Sequence, residues 1–278
     1  MRRTASVLVA VAALGVALVG CAGGQDAAGE TAATASGEID LLPVGAVPDY
    51  QLGGAYEPAD DVGVVGRDRT AEPAEGVYSI CYVNGFQTQP GELDTWPDDL
   101  LLQHDGEPVF DPDWPDEALL DTSTSERRES IADVIGPWID GCAESGFDAV
   151  EFDNLDSYTR SDDALTLDDN LALATLLVER AHESGLAAGQ KNAAEDAEAL
   201  HDRAGFDFAV VEECAAYEEC TAYTAVYGDQ VIDIEYTDQL PRAFADMCEN
   251  AESPASMVLR DRDLLPAGVD GHVFETCR

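Results

Sequence analysis

The stretch of residues 146–158 constrains the fold of this chain more than any other. In an extended strand Val150 and Phe152 share one face, while Glu151 and Asp153 share the other. Burying unpaired carboxylates under a covering layer costs several kcal/mol, which a parallel barrel avoids because its strands end at an open mouth. The stretch therefore predicts a barrel strand that carries acids to the mouth. The alternative is a strand that ends in a solvated Asp/Asn turn.

Short apolar runs alternate with helical patterns along the chain, which is typical of βα units around a parallel sheet. The eight predicted strands are residues 50–54, 62–68, 77–84, 148–154, 187–192, 206–213, 230–236 and 256–261. We therefore expect an α/β fold, a single (β/α)8 TIM-type barrel.

Three segments between the strands predict helices. Residues 131–142 carry one apolar helical stripe, with Pro137 inside it and Gly146 after it. Thr166 followed by Asp169 predicts a capping box that opens a second helix. Residues 238–250 predict a third helix.

Residues 86–124 combine two tryptophans with several prolines and predict a long, shaped loop. Exposed tryptophans here could serve as platforms for sugar rings. Packing of Trp96 and Trp114 against the barrel top is the alternative.

The N-terminus has the order of an export signal, with Arg2 and Arg3 followed by an apolar run and small residues. Residues 18–21 resemble a bacterial lipobox, which implies cleavage before Cys21 and a lipid on that cysteine. Residues 22–38 contain little that could be buried. We predict a lipoprotein signal peptide over residues 1–20, a lipidated Cys21 with a flexible linker over 21–43, and a barrel over 44–278, anchored to the outer face of the cell membrane.

The formal net charge is −43, from 57 acidic and 14 basic residues. This balance disfavours nucleic acid and anionic lipid as partners, so we expect membrane contact only through the lipid on Cys21. A strongly acidic surface could attract a cationic substrate, or it could simply be a solvated surface. Charge alone does not separate these.

Six cysteines besides Cys21 predict disulfides in an exported chain. Cys214 and Cys220 can close a small loop and form the first expected pair. The remaining expected pairs are Cys81 with Cys142 and Cys248 with Cys277. Cysteine and histidine spacings match no zinc motif, so we expect no metal and no cofactor.

Every predicted strand after the first ends in polar side chains, which should meet around one mouth. They are Asp68, Asn84, Asp153 with Asn154, Lys191 with Asn192, Glu212 with Glu213, Glu235 with Tyr236, and Arg260 with Asp261. Lys191 is the only lysine. Glu235 shares strand parity with Asp233, and both acids are expected to face inward. Of Glu212 and Glu213 only one can enter the mouth, and parity leaves the choice open.

Two carboxylates on different strands of one barrel mouth are the minimum apparatus for glycoside hydrolysis. One protonates the leaving oxygen, and the other attacks the anomeric carbon or activates water. Their separation decides which of these occurs, and the sequence does not provide it.

Several segments together resemble the endo-α-1,4-polygalactosaminidase family of glycoside hydrolases, which are barrel proteins. The segments are residues 81–83, 150–158, 189–192, 206–214 with Cys220, and 234–236. The resemblance implies that Asp153 and Glu212 are the catalytic carboxylates, which favours Glu212 over Glu213. The implied sugar contacts are Glu151, Asn154, Asp156, Tyr158, Lys191, Asn192 and Glu235. Asp68, Asn84 and Tyr236 join them as strand-end candidates.

The implied substrate is an α-1,4-linked galactosamine polymer, which is cationic when deacetylated. The chain departs from the family pattern at Val211 and Glu213, where members usually have Asn and Gln, and in residues 84–89. We therefore predict a monomeric, extracellular glycoside hydrolase acting on an amino-sugar polysaccharide.

Two other hypotheses compete with this prediction. The chain could be a catalytically inactive barrel lipoprotein that binds glycans. Alternatively, oxygen ligands could hold Ca²⁺ or Mg²⁺, although no known loop spacing supports this. These ligands would be Asp153, Asp156, Glu212 and Glu235.

Overall fold

A computed structural model describes residues 39–277. The predicted signal peptide, Cys21 and nearly all of the linker lie outside the described residues. Leu42 is already buried among residues of the barrel interior, so the packed chain includes residues before the predicted boundary at 44.

The described residues form one large sheet in the order β1-β2-β3-β6-β7-β8-β9-β10-β11. Its strands are β1 (Val47–Tyr50), β2 (Val62–Asp68), β3 (Tyr78–Asn84), β6 (Ala149–Asp153), β7 (Ala187–Lys191), β8 (Phe208–Glu212), β9 (Val231–Tyr236), β10 (Ser256–Arg260) and β11 (Phe274–Thr276). A small hairpin, β4 (Gln103–His104) with β5 (Glu107–Pro108), lies apart from it. The first eight strands of the sheet pair in parallel, and β11 pairs antiparallel to β10.

The sheet curls into a nearly closed barrel, which confirms the predicted TIM-type fold. Between β1 and β10 the gap is bridged by Arg260, whose Nη1 donates to Asp49 Oδ1 at 2.7 Å and to the carbonyl of Tyr50. This guanidinium is fully buried, so its pairing with Asp49 avoids the cost of an isolated buried charge.

The first strand is displaced from its prediction. It runs over Val47–Tyr50 rather than residues 50–54. The segment after it forms a turn in which Gly54 N bonds to the carbonyl of Gln51. Gly53 lies so close to the backbone of Asp263 that a Cβ there would be 2.3 Å from a carbonyl oxygen, so this segment passes over β10's end instead of extending the strand.

The alternation predicted for β6 is confirmed. Val150 and Phe152 pack with the helices of the outer layer, whereas Ala149 belongs to the barrel interior. Interior neighbours of Ala149 include Phe208 and Ile234.

The helices are α1 (Ser125–Ser145), α2 (Leu167–Glu183), α3 (Ala197–Ala199), α4 (Cys214–Tyr217), α5 (Cys220–Tyr227) and α6 (Phe244–Cys248). The predicted capping box is present, since Thr166 Oγ1 accepts from Asp169 N and the Asp169 side chain accepts from Thr166 N. Gly146 ends α1 in the left-handed conformation, with φ 94°.

The prediction of a helix over residues 238–250 is wrong for most of that range. Only Phe244–Cys248 is helical. Pro241 disfavours helical backbone at the residue before it, and the Asp238 side chain is drawn to Arg262 at 2.8 Å.

Residues 86–124 form an ordered loop with the β4–β5 hairpin and two short 3₁₀ turns. One of its two tryptophans packs against the barrel, and the other is exposed. Trp96 is buried edge-on against Trp138, with ring centroids 5.7 Å apart. Trp114 is 59% exposed, so it is available to a ligand.

All three expected disulfides are present: Cys81–Cys142, Cys214–Cys220 and Cys248–Cys277. They tie β3 to α1, the start of α4 to that of α5, and α6 to the segment after β11. Between residues 39 and 277, every helix is too short or too polar to span a bilayer.

Candidate active site

A cavity of about 370 Å³ opens at the C-terminal ends of the barrel strands. Residues from β3, β6, β7, β8 and β9 line it, together with side chains from the long loop of residues 86–124. Wider hollows between α1 and α2 and beside β2 and β3 gather no comparable set of strand-end groups. Barrel enzymes carry out their chemistry at this C-terminal end.

Lys191 stands at the centre of the cavity between two carboxylates. Its Nζ lies 2.7 Å from Glu212 Oε2 and 3.8 Å from Asp153 Oδ2. The ammonium is almost fully buried, with 4% of the side chain exposed. Burial alone would lower its pKa, but the surrounding carboxylates outweigh burial and raise it. Lys191 is therefore a fixed positive charge in this site.

Glu212 is held as an anion. Its carboxylate accepts hydrogen bonds from Lys191 Nζ, from Asn192 Nδ2 at 3.0 Å and from the Tyr236 hydroxyl. Burial would raise the pKa of Glu212, but the ammonium and these hydrogen bonds lower it to about 2. Asn192 has a left-handed backbone, with φ 53°, and its Oδ1 also accepts from Glu212 N at 2.9 Å.

Asp153 lies across the cavity from Glu212. Its Oδ2 accepts from the Tyr82 hydroxyl at 2.8 Å, and its Oδ1 accepts from Asn154 N at 2.7 Å. With 18% of its side chain exposed, Asp153 is open to a ligand in the cavity.

Glu151 forms the floor below the cavity and does not line it. It is completely buried and accepts from the Tyr50 hydroxyl at 2.5 Å. Burial is the main cause that raises the pKa of Glu151 to about 8. The structure places Glu151 two positions before Asp153 on β6, beneath the cavity and outside its lining, so the sugar contact implied for it stays a prediction.

Arg160 ties the rim of the cavity together. Its guanidinium lies 2.5 Å from Asp111 Oδ2 and 2.9 Å from Asp156 Oδ1, and it donates to Asn154 Oδ1 at 3.1 Å. Asp111 belongs to the long loop, so this cluster fixes the loop against the segment after β6. Asn154 and Asp156 line the cavity as predicted, whereas Arg160 and Asp111 were missed.

Glu117 and Trp114 bring the long loop into the cavity. Asn84, at the end of β3, is buried beneath them and donates from Nδ2 to Glu117 Oε2 at 3.0 Å. Burial raises the pKa of Glu117, and the hydrogen bond from Asn84 lowers it by less. The resulting pKa is about 7. In the sequence, the two tryptophans mark this long loop as a functional candidate, but no pattern indicates Glu117.

Glu213 is directed away from the cavity and pairs with Arg262 through two hydrogen bonds of 2.9 and 3.0 Å. Arg262 also stacks 4.0 Å above the ring of Tyr236. Of the two adjacent glutamates, the structure thus places Glu212 in the mouth, as the family resemblance implied. Tyr236 lines the cavity, as predicted.

Glu235 is not in the cavity, and the expectation that it faces inward is wrong. Ile232, Ile234 and Tyr236 occupy the inner face of β9. Glu235 on the outer face accepts from the amides of Ala215 and Ala216 at 2.9 and 3.0 Å. The free amides at the start of α4 supply the donors that draw this carboxylate outward.

Three further strand-end or motif residues also lie elsewhere. Tyr158 donates to Asp196 Oδ2 at 2.9 Å rather than facing the cavity. Asp68 accepts from Thr70 and from Gln89 Nε2 at 2.9 Å. Asp261 accepts from backbone amides of the segment after β10.

The fold does not gather the four oxygen ligands of the cation hypothesis. Lys191 occupies the position between Asp153 and Glu212, and Asp156 is paired with Arg160. Elsewhere in residues 39–277, the ligand atoms of Cys214, Cys220 and Asp233 lie within 4.8 Å of one another. Both sulfurs of that group are joined in a disulfide.

A TIM-type barrel with two open carboxylates on different strands of its mouth has the architecture of a glycoside hydrolase. Residues 28–278 match Glycoside-hydrolase family GH114. The chain belongs to this family and is a glycoside hydrolase, which confirms the resemblance read from its motifs. No curated protein sequence matches the chain.

Solved structures with a similar fold include two glycoside hydrolase structures. The crystal structure of Aspergillus fumigatus Ega3 in complex with galactosamine is 23% identical, with a TM-score of 0.65 over 82% of this chain and 96% of that one. The glycoside hydrolase domain of PelA from Pseudomonas aeruginosa, variant E218A, is 15% identical, with a TM-score of 0.55 over 80% of this chain and 97% of that one.

Proposed function

We propose that the protein hydrolyses an amino-sugar polysaccharide, α-1,4-linked polygalactosamine, with Asp153 and Glu212 as the two catalytic carboxylates. The observation that carries this proposal is the pair of carboxylates flanking Lys191 in the strand-end cavity. Membership of family GH114 and the similarity to Ega3 bound to galactosamine support the choice of substrate.

In the proposed reaction one carboxyl group protonates the oxygen of the scissile bond as that bond breaks. The other acts at the anomeric carbon, directly or through water. Lys191 keeps its proton throughout and stabilises the carboxylate that acts at the anomeric carbon. Asn192 and Tyr236 hold the Glu212 carboxylate in one orientation, which preorganises it for the substrate.

We further propose that the reaction retains anomeric configuration. Both Asp153 Oδ2 and Glu212 Oε2 contact Lys191 Nζ, so these two oxygens are at most about 6.5 Å apart, which is the short limit of the range for inverting enzymes and includes the about 5–5.5 Å of retaining enzymes. NMR of the first product formed would give its anomeric configuration. An initial β-anomer would contradict this part of the proposal.

The function is tested by incubating the soluble protein, lacking residues 1–38, with deacetylated and acetylated α-1,4-galactosamine polymers. Mass spectrometry of the products should show short oligomers from at least one polymer. Retention of the polymer on immobilised protein with no product would instead support the glycan-binding alternative.

We further propose that the protein is exported and lipid-anchored through Cys21. The charge-apolar-small order before Cys21 and the small, polar sequence after it support this. In cell fractionation, the wild-type protein should be found in the membrane fraction in its cleaved form. The Cys21→Ser variant should not be found there in that form. Equal membrane association of both would contradict the proposal.

A further inference from the structure

Glu117 is a third carboxyl group of the cavity, separate from the pair that flanks Lys191. It reaches the cavity from residues 111–117, a short closed loop in which Asp111 N bonds to the Glu117 carbonyl and Glu117 N bonds to the Trp114 carbonyl, each at 2.9 Å. We call this segment the 111–117 loop. It presents the exposed Trp114 ring and the Glu117 carboxyl to the same space.

The surroundings of Glu117 contain more negative than positive charge. The ionisable groups that face it are Asp153 on β6, the phenol of Tyr82 on β3, and Asp111 and Asp116 of its own segment. The cations that line the cavity are already engaged by other carboxylates: Arg160 by Asp111 and Asp156, Lys191 by Asp153 and Glu212, and Arg262 by Glu213 and Asp238. Within residues 39–277, Glu117 therefore has no cationic partner, and Asn84 Nδ2 is the one side-chain group bonded to its carboxyl.

We propose that Glu117 is a specificity-determining residue that pairs with the ammonium group of a deacetylated galactosamine unit bound in the cavity. This inference rests on the proposed function. An ammonium is the partner that this site lacks, because it supplies positive charge and hydrogen-bond donors at once. An acetamide on the same carbon carries no charge and supplies a single N–H donor.

The pairing is linked to a proton. With a pKa of about 7, much of Glu117 is protonated in the free protein at neutral pH. When an ammonium-bearing unit binds, the carboxyl group releases its proton to solvent and the resulting carboxylate pairs with the ammonium. An acetylated unit gains nothing from this ionisation, so the preference for the deacetylated polymer should increase with pH as long as the sugar amine keeps its proton.

The test compares wild type, Glu117→Gln and Asp105→Asn on deacetylated and acetylated polymer between about pH 5.5 and 8. A glutamine keeps an oxygen acceptor for Asn84 but cannot ionise. Asp105 lies at the exposed turn of the β4–β5 hairpin, away from the cavity, so its variant controls for removing one charge from the same long loop. Only the ammonium form of the substrate can pair with Glu117, so the deacetylated polymer is titrated on its own and the comparison uses pH values at which its amine keeps a proton.

The readout is the ratio of kcat/KM for deacetylated over acetylated polymer in wild type, divided by the same ratio in Glu117→Gln. We expect this quotient to rise about tenfold across the range, which corresponds to one charge pair worth about 1.4 kcal/mol. Asp105→Asn should behave as wild type. A flat quotient, or an equal loss on both polymers in Glu117→Gln, would overturn the inference. Inactivity of the wild type on both polymers would instead reject the proposed function.

Discussion

At the scale of single residues, buried charges define this site. One ammonium, Lys191, is shared by Asp153 and Glu212 above it and interacts with Glu151 below it. These acids have different environments. The charge of Lys191, together with hydrogen bonds, keeps Glu212 ionised, while burial keeps Glu151 protonated at neutral pH. Of Glu212 and Glu151, only Glu212 is therefore negatively charged at pH 7.

The raised pKa of Glu151 predicts how stability changes with pH. The pKa of this group is about 4.3 in the unfolded chain and about 8 in the folded protein. Between these values the folded state binds more protons, so the free energy of unfolding falls as the pH rises, by up to about 1.4 kcal/mol per pH unit. Glu151→Gln should therefore gain stability relative to wild type between about pH 5 and 8. A difference in Tm that does not change with pH would contradict this.

At the scale of elements, the sequence predicts which residues of a strand share a face. It predicts only in part which of the two faces points into the barrel. The acids of β6 face inward as expected, whereas those of β9 face outward. The two strands have the same apolar-acidic pattern, and what separates them is the start of α4, whose amides bind Glu235. Such a partner is distant in sequence, so parity alone could not locate it.

The long loop shows a similar limit. Its length indicated a functional element, but the contributions of Glu117 and Arg160 depend on contacts across the mouth that no local pattern encodes. Asp153, Lys191 and Glu212 could be located because each ends a strand and matches a family motif. Glu151 and Tyr158 match the same motif, yet they face the floor and a neighbouring loop.

The Arg160–Asp111 pair should fix the long loop in position. Asp111 is 1% exposed, so Arg160→Met leaves a buried carboxylate without its cation and should cost about 3 kcal/mol of stability. It should also lower kcat/KM, because Trp114 and Glu117 follow Asp111. The double variant with Asp111→Asn should recover part of the stability in urea unfolding. Strictly additive losses would show that the pair does not act as a unit.

At the scale of the whole molecule, the net charge of −43 acts on the substrate before any contact forms. Surface charge of one sign can raise association rates by about 10–10³-fold at low ionic strength. We therefore expect kcat/KM on the deacetylated polymer to fall at least severalfold between about 0.05 and 0.5 M NaCl. The acetylated polymer, being uncharged, is the control. An equal response of both polymers would assign the charge to solvation alone.

The central claim is that Asp153 and Glu212 cleave the glycosidic bond, and the release of new reducing ends from polygalactosamine tests it most directly. Asp153→Asn and Glu212→Gln should each lose at least about 10²-fold in kcat, while remaining folded and still binding the polymer. Asp105→Asn should match the wild type. Wild-type turnover in either carboxamide variant would contradict the assignment.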